Sequence, residues 1–105
     1  MIQTTQETRS GWCVVSVRGR ADAEASNQLE DALKAALKQA PKVAADFSAL
    51  DYISSAGLRA VLQAARAAQE GKVEFAVCGL SPSVQKVFDM SGMHKILTVH
   101  GELPC

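Results

Sequence analysis

The stretch from Asp46 to Glu70, D-F-S-A-L-D-Y-I-S-S-A-G-L-R-A-V-L-Q-A-A-R-A-A-Q-E, leaves the chain few architectures. Leu58, Val61, Leu62, Ala65 and Ala68 fall at i, i+3, i+4, i+7 and i+10, the apolar stripe of an amphipathic helix. Arg59, Gln63, Arg66 and Glu70 form the opposite, wet face. Running into this stretch, Lys42–Asp46, K-V-A-A-D, reads as a short apolar strand whose small residues suit burial between helices. Residues 47–54 read as a polar loop with two serines at its far end. The result is a strand, a loop and a helix N-terminus in immediate succession.

The two serines separate when projected back by one helical turn. Ser54 lies four residues before Leu58, so it points toward the core or caps the helix. Ser55 lies four before Arg59 and points to solvent. Gly57 falls in the first turn, where a missing side chain lets another surface approach Ser55. A helix N-terminus leaves N–H groups unpaired and carries partial positive charge. An exposed hydroxyl there suits an anion, including a covalent phosphate. The same residues also read as two ordinary capping serines, since serine is among the commonest caps.

The remaining segments alternate in type. Ile2 to Thr8 is polar and β-branched, Ser10-Gly11 signals a turn, and Trp12 to Arg18 is the strongest strand, which predicts a hairpin. Asp22 is a candidate N-cap for a helix whose stripe is Ala25, Leu29, Ala32, Leu33, Ala36, Leu37 and Ala40, stopped by Pro41. Gly71 ends the central helix, and Val73 to Val77 forms another strand. Ser81-Pro82 is an N-cap followed by proline at the first helical position, Gly92 ends that helix, and Ile96 to Val99 reads as the last strand. The order β-β-α-β-α-β-α-β predicts an α/β fold, a mostly parallel sheet packed with helices. In such sheets functional residues gather where strands end and helices begin.

With 105 residues the chain predicts a single domain, residues 1–105. Eleven basic and eleven acidic residues leave no basic surplus to neutralise phosphates, which argues against a nucleic-acid partner. Cys13, Cys78 and Cys105 are odd in number and lack C-x-x-C spacing, so neither a metal nor another cofactor is expected. The N-terminal residues carry no apolar signal core, and no run approaches a membrane span, so the expectation is a cytoplasmic protein with no membrane insertion. Ser55-Ala56-Gly57 is half of a nucleophile elbow, with Asp89 and His100 following in hydrolase order. Ile53 occupies the place of the first glycine, however, and the chain is short for a hydrolase fold with a pocket, so no enzymatic activity is expected.

Three segments carry a family likeness: G-R-A-D-A-E-A at 19–25, D-F-S-A-L-D-Y-I-S-S-A-G-L-R-A-V-L at 46–62, and V-Q-K-V-F-D-M-S-G-M-H-K-I-L-T-V at 84–99. In this order they resemble the STAS domains, and most closely the bacterial anti-sigma-factor antagonists. The resemblance implies a STAS-like domain that works by partner switching. The unphosphorylated form binds a serine-kinase anti-sigma factor, phosphorylation of Ser55 releases it, and a PP2C-type serine phosphatase resets the cycle. Ser54 stands where such proteins usually carry aspartate, and Ala56 replaces a Ser or Thr. The resemblance also allows an unphosphorylated STAS interaction subunit of a membrane lipid-transport complex. Both of the first two helices should begin on one rim of the sheet. The expected docking surface is therefore Asp22, Ala23, Glu24, Phe47, Ser48, Ser54, Ser55, Ala56, Gly57 and Arg59 on a protein that is monomeric when free.

Overall fold

A computed structural model describes residues 2–95 and 98–100 of the chain. β1 (Ile2–Arg9) and β2 (Trp12–Ala21) form the expected hairpin. Its two turn residues, Ser10 and Gly11, have φ of 53° and 85°, the left-handed pair whose twist matches that of the flanking strands. Next come α1 (Ser26–Leu37), β3 (Lys42–Ile53), α2 (Ser55–Glu70), β4 (Glu74–Cys78), α3 (Pro82–Ser91), a 3₁₀ turn at Met93–Lys95, and β5 (Thr98–His100). The order matches the sequence reading. Ile96 and Leu97, expected to open the last strand, lie outside the described residues, as does the tail 101–105.

The strands lie side by side in chain order, β1-β2-β3-β4-β5, with β1 antiparallel and the others parallel. Each crossover from β2 onward therefore steps in the same direction. Right-handed crossovers that never reverse direction place every helix on the same face of the sheet. The packing agrees. Val15, Val17, Ala45, Phe47 and Val77 share one core with Leu29 and Leu33 of α1, Val61 and Ala64 of α2, and Val84 and Phe88 of α3. The intervening residues Val14, Ala44 and Cys78 form a separate small cluster on the other face, with Trp12 packed against it. The expectation that Lys42–Asp46 is sandwiched between helices is thus corrected: its small residues pack against helices on one side only.

A larger correction concerns residues 47–53. They are not a loop but the second half of β3, which runs on past the end of β4 with only β2 beside it. The pairing slips twice, between Ser16 and Arg18 and between Gly19 and Arg20, and each slip leaves one extra residue on β3. Phe47, Leu50 and Ile53 consequently all turn into the core at a spacing of three, with exposures of 0%, 1% and 2%. Phe47 meets Phe88 edge-on, with ring centroids 6.4 Å apart.

Two helix readings also move. α1 begins at Ser26 rather than after Asp22, and its cap position, Ala25, makes no side-chain cap bond. Asp22 instead closes the preceding turn, its Oδ1 accepting from the Ala25 amide at 3.0 Å. In α2 the buried residues are Gly57, Ala60, Val61, Ala64 and Ala68, while Leu58, Leu62 and Ala65 lie half-buried at the margin. The true stripe is narrower and made of smaller residues. α3 follows its signals, with Ser81 accepting from the Val84 amide, Pro82 in the first turn, and Gly92 at φ 76° after the last turn.

These depths order the response to truncation. Phe47→Ala should cost about 3–5 kcal/mol, as expected for a fully buried aromatic ring. Leu58→Ala should cost clearly less. Urea denaturation of both variants checks this, and equal midpoint losses would place Leu58 in the core after all.

Candidate functional site

β2 and β3 end together, with Ala21 beside Ile53, and the chain leaves each strand toward a helix on the same side of the sheet. The Ala21 carbonyl oxygen accepts from both the amide and the hydroxyl of Ser54, at 2.9 and 3.0 Å. The same Ser54 oxygen accepts from the Gly57 amide at 3.1 Å, and the Ser54 carbonyl takes the Leu58 amide at 2.9 Å. Ser54 is therefore the N-cap of α2, with its hydroxyl both donating and accepting. Ser55, the next residue, is exposed at the first helical position.

Gly57 faces inward. A Cβ there would stand 2.8 Å from Ile53 Cγ1 and 2.9 Å from the Ala21 carbonyl oxygen. The expectation that Gly57 opens Ser55 to a partner is corrected: the missing side chain lets α2 rest on the strand ends. Phe47 is likewise no docking residue, because it is fully buried beneath α3. Ser48 is exposed but belongs to the helix-free face. There it borders a shallow recess with Gln3, Thr5, Ser16, Arg18 and Asp46, and its amide donates to Asp46 Oδ1 at 2.9 Å. The remaining predicted residues lie where β2 and β3 hand over to helices. Asp22, Ala23 and Glu24 form the turn before α1, and Ser54, Ser55, Ala56 and Arg59 open α2.

Between these two helices runs an open groove of about 410 Å³ lined by Ser26, Asn27 and Glu30 of α1 and by Ser55, Ala56, Arg59 and Ala60 of α2. The α1 contribution was not anticipated. Its signal was present in the spacing of Ser26, Asn27 and Glu30, a polar strip at helical intervals beside the apolar stripe. Glu30 is paired with Lys34 one turn on, at 2.7 Å. Arg20 and Tyr52, neighbours at the strand ends, were also missed. The guanidinium lies 4.5 Å from the ring centroid, and Tyr52 is 40% exposed.

One carboxylate in the turn before α1 is perturbed. The Ala25 amide bonded to Asp22 holds that carboxyl below its ordinary range, helped by Arg20. A lowered folded-state pKa means that this contribution is present above the unfolded pKa and is lost as pH falls through the folded one. Helix geometry leaves the amides of Ser55 and Ala56 without intrahelical acceptors, directly beside the Ser55 hydroxyl. Among the described residues no group of three or more His, Cys, Asp and Glu could hold a metal ion, and no helix is long and apolar enough to cross a membrane.

Known proteins resemble this chain in sequence and fold. A family model described as "Mlab, STAS domain" matches residues 4–99. BtrV of Bordetella bronchiseptica, provisionally described as an anti-sigma factor antagonist, is 35% identical over 99 residues, covering 93% of this chain and 85% of BtrV. The crystal structure of an anti-sigma factor antagonist from Mycobacterium paratuberculosis superposes with a TM-score of 0.85 at 26% identity, covering 98% and 88% of the two chains. The phosphorylated form of the Bacillus cell fate determinant SpoIIAA shares the fold, with a TM-score of 0.69 at 24% identity over 97% and 93% of the chains.

The two serines and the glycine should respond differently to substitution. Gly57→Ala forces a methyl group against backbone and should cost about 1–3 kcal/mol. Ser54→Ala removes the cap and should cost about 0.5–2 kcal/mol. Ser55→Ala, at an exposed position, should stay within about 0.5 kcal/mol of wild type. Thermal or urea unfolding checks the order, and a Ser55→Ala loss as large as that of Ser54→Ala would reverse the cap assignment.

Proposed function

The chain belongs to the STAS domain family, and we propose that it is an anti-sigma-factor antagonist switched by phosphorylation of Ser55. The observation that carries this reading is the division of labour between adjacent serines. The Ser54 hydroxyl is committed to the Ala21 carbonyl and the Gly57 amide, while the Ser55 hydroxyl stands exposed at the mouth of the groove. The BtrV and Mycobacterium relatives support the antagonist role. The phosphorylated SpoIIAA structure supports the fold's capacity to carry a phosphate.

In this reading the unphosphorylated protein, a monomer in the cytoplasm, captures a serine-kinase anti-sigma factor and frees what it held. The docking surface is the rim formed by Asp22, Ala23, Glu24, Ser54, Ser55, Ala56 and Arg59, extended by Ser26, Asn27 and Glu30. The protein contributes a surface rather than a reaction of its own. The kinase phosphorylates Ser55, and a PP2C-type phosphatase removes the phosphate. A phosphate adds about −1.5 to −2 charge at neutral pH. At a helix N-terminus that charge is favourable, so α2 stays folded. The effect falls on the partner, which meets new negative charge beside Glu30 and must desolvate it.

Ser54 in the usual aspartate position fits this scheme. Serine and aspartate cap helices about equally well. The hydroxyl, however, also donates to the Ala21 carbonyl, which an ionised carboxylate cannot do.

Incubation with the cognate anti-sigma kinase and ATP should add one phosphate, mapped by mass spectrometry to Ser55. Ser55→Ala should abolish incorporation, and Ser54→Ala should reduce it by loosening the cap. Phosphate on Ser54 in the Ser55→Ala variant would reverse the assignment, and no phosphate at all would favour the unphosphorylated interaction subunit.

Calorimetry with the unphosphorylated protein tests the surface. Ser55→Asp, Asp22→Ala and Arg59→Glu should each weaken kinase binding without unfolding the protein, whereas Arg66→Glu, further along α2, should change it little. A larger loss for Arg66→Glu than for Ser55→Asp would move the interface to the helix body.

A further inference from the structure

We propose that a phosphate on Ser55 is closed over by Arg59 of the same helix, so that phosphorylation both adds charge and withdraws a cation from the partner. This rests on the reading of Ser55 as the phosphorylated residue and adds the means by which the modification acts.

Ser55 and Arg59 are separated by four residues on α2, and both are exposed on the wall of one groove. Side chains at this spacing have Cβ atoms about 5–6 Å apart. Between and beside them the groove is lined by Ala56 and Ala60, whose methyl groups leave the path open. Arg59 is also uncommitted. Among the described residues it makes no hydrogen bond or ion pair, and the carboxylate facing it across the groove, Glu30, is already held by Lys34 at 2.7 Å.

A phosphate at this place meets two kinds of donor. The amides of Ser55 and Ala56 point at it from the helix end. The Arg59 guanidinium can reach back one turn and bind two phosphate oxygens with its planar fork. Glu30, facing from α1, repels the phosphate toward α2 and so reinforces the same pairing. The unphosphorylated protein offers Arg59 to the partner; the phosphorylated protein folds it onto its own helix.

The test uses the full chain with phosphoserine installed genetically at position 55, so that it does not depend on any kinase. Phosphorus NMR then gives the phosphate's second pKa by titration. Arg59→Gln should raise that pKa by roughly 0.2–0.5 unit, the scale of an exposed charge pair, and added salt should shrink the difference. Arg66→Gln should leave it unchanged. Identical titrations for Arg59→Gln and its parent would overturn the pairing, as would an equal shift from Arg66→Gln, which would show only a diffuse field.

The partner arm is separate. The ratio of Kd values for the phosphorylated and unphosphorylated chains against the kinase should narrow in Arg59→Gln, and an unchanged ratio would sink the withdrawal of the cation. If the kinase fails to modify Ser55 while the NMR shift persists, the acceptor assignment falls and the pairing stands.

Discussion

One carbonyl oxygen, that of Ala21, ties the ends of β2 and β3 to the start of α2. It accepts two hydrogen bonds from Ser54 and lies where only a glycine at position 57 leaves room for it. The end of one strand, the end of its neighbour and the first turn of α2 thus meet at a single acceptor. A buried carbonyl left unpaired is costly, so the geometry of this junction is strongly determined. The position of Ser55 follows from it, because that residue is the first in α2 whose side chain the junction does not use.

The monotonic order of the sheet explains why both helix starts open on one face. A strand order that reverses sends helices to both faces and opens a crevice at the reversal. Here the order never reverses, so no such crevice forms. The groove is made instead by the starts of two neighbouring helices on the same face, and its depth is set by how closely they approach. Ala56 and Ala60 line it on the α2 side, and their small side chains keep that approach close.

Much of this was legible in the residues, and what was not has physical causes. The hairpin announced itself through Ser10-Gly11, and α3 through Ser81, Pro82 and Gly92, because each of these residues acts over one turn of chain. Residues 47–53 misled because alternation is the only periodicity expected of a strand. Two extra residues in β3 convert alternation into a spacing of three, which resembles a loop with scattered apolar residues. Gly19, at φ 105° beside the second slip, was the one local sign of a bulge, and it was read as the end of the strand. The stripe of α2 was read as Leu58 and Leu62 because large residues dominate a hydrophobicity pattern. The buried face is instead Gly57, Ala60, Val61, Ala64 and Ala68, and at Gly57 the strand ends leave no room even for a methyl group. The outward direction of Ser55 survived this error because both registers point it away from the sheet.

The neighbouring hydroxyls of Ser54 and Ser55 have a consequence for how such a domain can change over generations. One serine belongs to the architecture, the next is the one proposed to carry the signal, and a single peptide bond separates them. A lineage can therefore replace Ser55 with almost any residue and still inherit a folded domain, whereas replacing Ser54 alters the scaffold itself. On the proposed reading of Ser55, loss or gain of regulation is open to single substitutions that folding selection does not see.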